Sequence, residues 1–201
     1  MVASIKKASV NLCAAPLGYK LFVVYFLLAI SLFGQGVYIK AKAQLAQVLL
    51  ESAWQKQQQD SLPYKAWSWA DGYPVAKISI NNETPFIILA GASGSNLAFA
   101  PSWLVTSSDF NESGNSVVFA HNDTYFKGLE ALNNESIIAI ETAKAEQLRY
   151  QVKEIKVIHE TNLSVLSQGD EDIVTLITCY PFDASIIHSD LRFVVIAKRI
   201  S

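Results

Sequence analysis

Residues 21–39, LFVVYFLLAISLFGQGVYI, carry no charged side chain, and Lys20 and Lys40 bound them. A helix formed by this run has no charged position to keep in water. At about 1.5 Å per residue it reaches roughly 28 Å, close to the hydrocarbon thickness of a membrane. Tyr19 and Tyr38 fall near its ends, where amphipathic rings favour the headgroup level. The run reads as a transmembrane anchor preceded by a tail of residues 1–20. The alternative is a cleaved signal peptide with Ala41-Lys42-Ala43 as its small-x-small site, but the run is longer than a usual signal core. Lys6, Lys7 and Lys20 precede the span and Lys40, Lys42 and Lys56 follow it, so the basic residues do not fix its orientation.

Residues 40–72 form a second zone. Within it, 43–59 are rich in helix formers and lack Gly and Pro, and Leu45, Val48, Leu49 and Ser52 recur at helical spacing. Residues 60–74, DSLPYKAWSWADGYP, hold two Pro, one Gly and the close pair Trp67 and Trp69, and read as a linker or docking segment. From residue 75 the pattern turns to short β-type runs, and the main domain is set at 73–201. Strands are expected at 75–80, 85–89, 116–120, 136–141, 148–158, 173–178 and 191–197. Alternation slips by one residue near Lys153–Glu154, which predicts a bulge. Many short strands with few helices argue for a closed barrel or a sandwich.

The charge balance, 16 basic against 18 acidic residues without a Lys/Arg cluster, points away from nucleic acid. Of two cysteines, Cys13 precedes the span and Cys179 lies in the main domain. A spanning helix would put them on opposite sides of the membrane, beyond disulfide reach. Cys179 ends the β-branched run Ile173–Thr178 and precedes Tyr180-Pro181, where a ladder stops. A thiol there suits a nucleophile displayed by a rigid scaffold, and suits equally a buried structural Cys. His121 also ends a strand-like run and opens the polar loop Asn122-Asp123-Thr124. His188 is its rival as a base, and His159, in a charged stretch, reads as solvated. Arg192 opens the last strand, where its guanidinium has two roles open to it: a donor to an oxyanion beside the thiol, or an ion pair with Asp190 or Asp183.

Thr175-Leu176-Ile177-Thr178-Cys179 resembles the TLxTC signature of sortases, and an upstream His with a downstream Arg matches that family's His–Cys–Arg order. Ala120 to Phe126 (AHNDTYF) and Thr178 to Asp183 (TCYPFD) resemble the Gram-negative, class GN, marine proteobacterial group. So do Trp67 to Asp71, Leu89 to Ser93 and Leu97 to Phe99. Asn122 departs from that group, which usually has Arg there.

The resemblance implies an all-β, closed eight-stranded sortase-like barrel behind the N-terminal transmembrane helix, with Leu97–Ala100 as the eighth strand. It implies a cysteine transpeptidase that cleaves an LPxTG-like C-terminal sorting signal through a thioester on Cys179. His121 would exchange the protons and Arg192 would hold the carbonyl or oxyanion. Asp123, Thr124 and Thr178, beside that pair, would contact substrate, and Val157 to Ser167 would border the groove. The implied partners are a substrate protein carrying the signal, an amine acceptor and inner-membrane lipid, with the catalytic domain on the periplasmic side. A cysteine peptidase resolved by water and an anchored β-domain that only binds a partner are the competing readings. No cofactor is expected: one domain Cys and scattered His lack zinc spacing, and no acidic cluster compels the calcium that some branches use.

Overall fold

The computed structural model describes residues 16–60, 62–183 and 189–200. Lys6, Lys7, Cys13 and His188 lie outside the described residues. The described chain forms two units, one up to Leu45 and one from Ala46 onward.

In the first unit, helix α1 (Leu17–Asp60) begins and carries its apolar side chains outward, Phe22, Tyr25 and Leu27 among them. By length and composition it is able to cross a membrane. In the second unit α1 continues, and Ala46, Leu50, Ala53, Trp54 and Gln57 are buried. Their spacing of three and four residues makes one stripe. The stripe is not the one the sequence suggested: Leu45 and Val48 are exposed. Leu50 and Trp54 instead pack on Ile87, Leu89 and Ala100 of the barrel.

Eight strands close that barrel: β1 (Pro74–Ile80), β2 (Phe86–Ala90), β3 (Ser102–Trp103), β4 (Asn115–Phe119), β5 (Ile137–Thr142), β6 (Gln147–His159), β7 (Ile173–Tyr180) and β8 (Leu191–Arg199). They run round it in the order β1-β2-β3-β4-β7-β8-β6-β5. Period-two alternation decides which side chains point inward. Ala76, Ile78 and Ile80 of β1, Ile138 and Ile140 of β5, and Leu148, Tyr150 and Val152 of β6 fill the interior. The β6 register slips between Val152 and Glu154 against β8, where the sequence pattern lost phase.

The eighth strand is Ser102–Trp103, not Leu97–Ala100. Ser93 caps a short helix, α2 (Gly94–Leu97), by accepting from the Asn96 amide. The buried Asn96 side chain donates to the Ala90 and Gly91 carbonyls, at 2.9 and 2.7 Å, and so curls the segment back. The Trp-rich stretch docks beside it. Trp67 meets Phe99 edge-on at 5.0 Å, and a Cβ at Gly72 would lie 2.2 Å from the Ala90 carbonyl oxygen.

Two pairings set up the site. β4 and β7 are parallel, so their C-terminal ends reach the same rim. β7 and β8 are antiparallel, so β8 starts where β7 ends. A second apolar layer, Val117, Val165, Ile177 and Val194, lies on the outer face of these strands under the 3-10 turn Leu163–Leu166.

Candidate active site

On β7, Val174 and Leu176 point into the barrel and Ile177 points into the outer layer. Cys179, two residues beyond Ile177, therefore faces outward, and it is exposed. The strand includes Cys179 and ends at Tyr180, one residue before Pro181. Arg192 sits directly opposite Cys179 across the β7·β8 ladder, and Ile158 sits opposite Arg192 across β6·β8. Facing residues of an antiparallel pair hold their Cβ atoms about 4.5–5.5 Å apart on one face.

His121 reaches the same row from the other side. The parallel β4·β7 pairing ends with Phe119 opposite Ile177. The Ala120 amide still donates to the Ile177 carbonyl at 3.3 Å, and the Thr178 hydroxyl donates to the Ala120 carbonyl at 2.7 Å. Continued by one residue beyond these bonds, the register sets His121 level with Cys179. The outer face thus carries, in order, Ile158, Arg192, Cys179 and His121.

The loop after β4 is fixed at several points. Asn122 Nδ2 donates to the Pro181 carbonyl at 2.8 Å. The Phe126 amide donates to the His121 carbonyl at 3.0 Å, with the Phe126 ring fully buried. The Tyr125 hydroxyl donates to the Phe99 carbonyl, and Gln47 Nε2 of α1 donates to both groups. Burial raises the Tyr125 hydroxyl pKa above its ordinary value, and the Gln47 contact opposes the rise.

Arg192 is held by three acceptors. Nη1 donates to the Ser189 and Leu191 carbonyls, at 2.7 and 2.8 Å, and Nη2 pairs with Glu160 Oε2. The carboxylate it meets is Glu160, rather than Asp190 or Asp183. Glu160 follows the end of β6, whose last residue His159 lies opposite Leu191, and its amide donates to the Asp190 carbonyl at 2.6 Å. Nothing in the spacing of charges signalled this partner; only the β6·β8 register brings it in. Between the thiol row and the turn 163–166 lies a hollow of about 110 Å³, lined by apolar side chains including Phe119, Ile158, Ile177 and Leu166. Glu160 and Arg192 give it charge. The Leu163-x-Val165-Leu166 cluster in an otherwise polar stretch was its readable sign.

The remaining sequence candidates separate. Asp123 and Thr124 are exposed on the loop after His121. Thr178 is 2% exposed with its hydroxyl engaged by Ala120, so it holds the site from beneath rather than at the surface. His159 lies on the surface with Nδ1 at 2.9 Å from the Thr161 hydroxyl. Among the described residues, no group of three or more His, Cys, Asp and Glu is placed to hold a metal ion.

Cys, His and Arg are the side-chain types that thiol-based acyl transfer uses: in that chemistry a thiolate attacks a carbonyl, an imidazole exchanges protons, and a guanidinium donates to the oxyanion.

Solved structures share this architecture. Streptococcus agalactiae sortase C1, solved in complex with MTSET, matches with a TM-score of 0.57 and 29% identity over 63% of this chain and 69% of that one. Sortase C-1 from Actinomyces oris matches at 0.57 and 26% identity, over 64% and 75%. A Clostridium perfringens sortase D5 transpeptidase shares the fold at a TM-score of 0.61 and 20% identity, over 78% and 96%. No curated protein sequence matches. The family model for the sortase domain matches residues 77–200, from β1 to the end of β8, and with more than half of its length inside that match the chain belongs to the sortase family of cysteine transpeptidases.

Proposed function

We propose that this chain is a membrane-anchored transpeptidase that cleaves an LPxTG-like C-terminal sorting signal and passes the acyl group to an amine. Cys179 Sγ attacks the threonine carbonyl carbon, and Arg192 N–H groups take the developing oxyanion. The C–N bond breaks as His121 gives its proton to the leaving amine, which leaves a thioester. An incoming amine then attacks the thioester, His121 takes its proton, and Cys179 leaves as the thiolate, which restores the starting pair. Asp123 and Thr124 stand where the scissile region passes, and the hollow beside Ile158 and Ile177 receives apolar side chains of the signal.

The arrangement of the chain follows the same reading. Residues 1–20 are a cytoplasmic tail, 21–39 anchor it in the inner membrane, 40–72 form the emerging helix and linker, and 73–201 act on the periplasmic side. The motifs around His121 and Cys179 support the class GN group.

The observation that carries the reading is the outward row of Arg192, Cys179 and His121 beside an apolar hollow. Intact-mass analysis of the full chain in detergent, incubated with peptides of LPxTG type, tests it. A covalent adduct on the wild type and none on Cys179→Ala is the expected result. No adduct and no labelling of Cys179 by a thiol probe would overturn it. Products made with and without a di- or triglycine amine separate transfer from hydrolysis.

A further inference from the structure

We propose that Asn122 is a positioning residue that fixes the His121 imidazole against the Cys179 thiol; the proposal rests on the roles just given to those two residues. Strand pairing stops short of the site. The β4·β7 register ends at Phe119 opposite Ile177, two residues before His121 and Cys179. Both reactive side chains are exposed, so packing does not hold them. Side chain–backbone ties take over where the ladder ends. Before the pair, the Thr178 hydroxyl donates to the Ala120 carbonyl. After it, Asn122 Nδ2 donates to the Pro181 carbonyl. Each tie joins a residue next to His121 to one within two positions of Cys179, so together they bracket the pair.

Asn122 is half-buried between the exposed His121 and Asp123, with its amide directed to the chain leaving β7. The Pro181 carbonyl needs a donor, and a short amide supplies N–H without adding charge. A general acid acts only within about 2.6–3.2 Å of the atom it protonates, so a loop free to drift would lose proton delivery before it lost substrate. The far side of the loop does not depend on Asn122. The buried Phe126 ring and the Tyr125–Phe99–Gln47 bonds keep it in place, so variants at 122 are expected to fold.

The test uses the full chain in detergent with Asn122→Ala, Asn122→Asp, which keeps the shape without the donor, and Asn122→Gln, which keeps the donor. Two substrates are compared: a Leu-Pro-Glu-Thr-Gly peptide, whose leaving amine needs a proton, and the matching phenyl ester, whose leaving group does not. For the peptide, kcat falls about ten- to a hundredfold in Asn122→Ala and Asn122→Asp, with KM within about twofold, since displacement of a catalytic group by an ångström costs on that order. On the ester the burst of phenol release, which reports acylation alone, stays within about twofold of wild type, and Asn122→Gln recovers most of the peptide rate. Amide exchange over residues 121–126 quickens in Asn122→Ala, a readout that needs no substrate. Wild-type kcat in Asn122→Ala, equal losses on peptide and ester, or unchanged exchange protection would overturn the proposal. Activity surviving Cys179→Ala or His121→Ala would instead remove the reading beneath it.

Discussion

Cys179 is the point where β7 changes character: residues 174–178 are all buried, and the next side chain is exposed. What keeps the exposed residue in place lies just below it. The Thr178 hydroxyl satisfies a carbonyl that strand pairing leaves over, and both groups are away from water. Thr178→Val keeps the shape and removes the donor. It is expected to lower stability by about 1–3 kcal/mol, read from urea unfolding, because the Ala120 carbonyl loses its partner. At Arg192 the geometry of donors matters more than the charge. Three acceptors surround its planar fork, and a lysine ammonium cannot copy that arrangement. Arg192→Lys is expected to lower kcat/KM for a sorting-signal peptide by at least about tenfold while leaving the thermal midpoint nearly unchanged, since the Glu160 pair is partly exposed and such pairs hold little stability. The motif around Cys179 singled this residue out, and the order His, Cys, Arg suggested its companions. Glu160 and Asn122 were not legible as contacts, because each meets a partner fixed by strand register or by a loop end far along the chain.

Elements were readable where they were long enough to show a period. β1 and β5 alternate cleanly between buried and half-buried residues, and β6 declares its bulge by losing phase. β3 has two residues, too few for any alternation, and its place was assigned to the neighbouring apolar stretch Leu97–Ala100, where α2 ends and the chain turns. The helical nature of 43–59 was plain, but its buried face was not. Leu45 and Val48 look like core by residue type, yet the stripe through Leu50 and Trp54 meets the barrel. Helix residues from Ala46 thus belong to the compact unit with the strands. Trp54→Ala is expected to cost about 3–5 kcal/mol, measured by denaturant unfolding, as for other large-to-small changes at fully buried aromatic positions. A chain started after Asp60 uncovers Ile87, Leu89 and Ala100. Compared with one started before Ala46, it is expected to melt at a lower temperature and to bind more of a hydrophobic dye.

Across the whole molecule, the barrel interior behaves as a single apolar medium, and Tyr150 reports on it. The residue is 2% exposed, and burial pushes its hydroxyl up to about 12, with Asp172 and Asp109 adding to the rise and Arg199 opposing it. The unfolded chain ionises this phenol near 10, so between those values it releases a proton that the folded chain keeps. The stabilisation is complete below pH 10 and is lost as pH rises toward 12, on the order of 2–3 kcal/mol. Unfolding midpoints taken across that range, with Tyr150→Phe as the control, are expected to show the fall in the wild type and a smaller one in the variant. The closed topology was legible only as a class. Strand order depends on two parallel contacts, β2·β3 and β4·β7, that no local pattern announces.

The β4·β7 pairing also governs when the residues of the outer-face row meet. It joins Ala120 to Thr178 across 58 positions, and Arg192 arrives on a strand that is laid down later still. Loop closures of that span are slow, and chains rich in them fold slowly. Until the closure is made, Cys179 lacks His121 as a neighbour, even where the β7·β8 pairing has already set Arg192 opposite it. Assembly of the Cys179–His121 row is therefore tied to a long-range closure, and a chain still emerging from synthesis carries a cysteine without that neighbour.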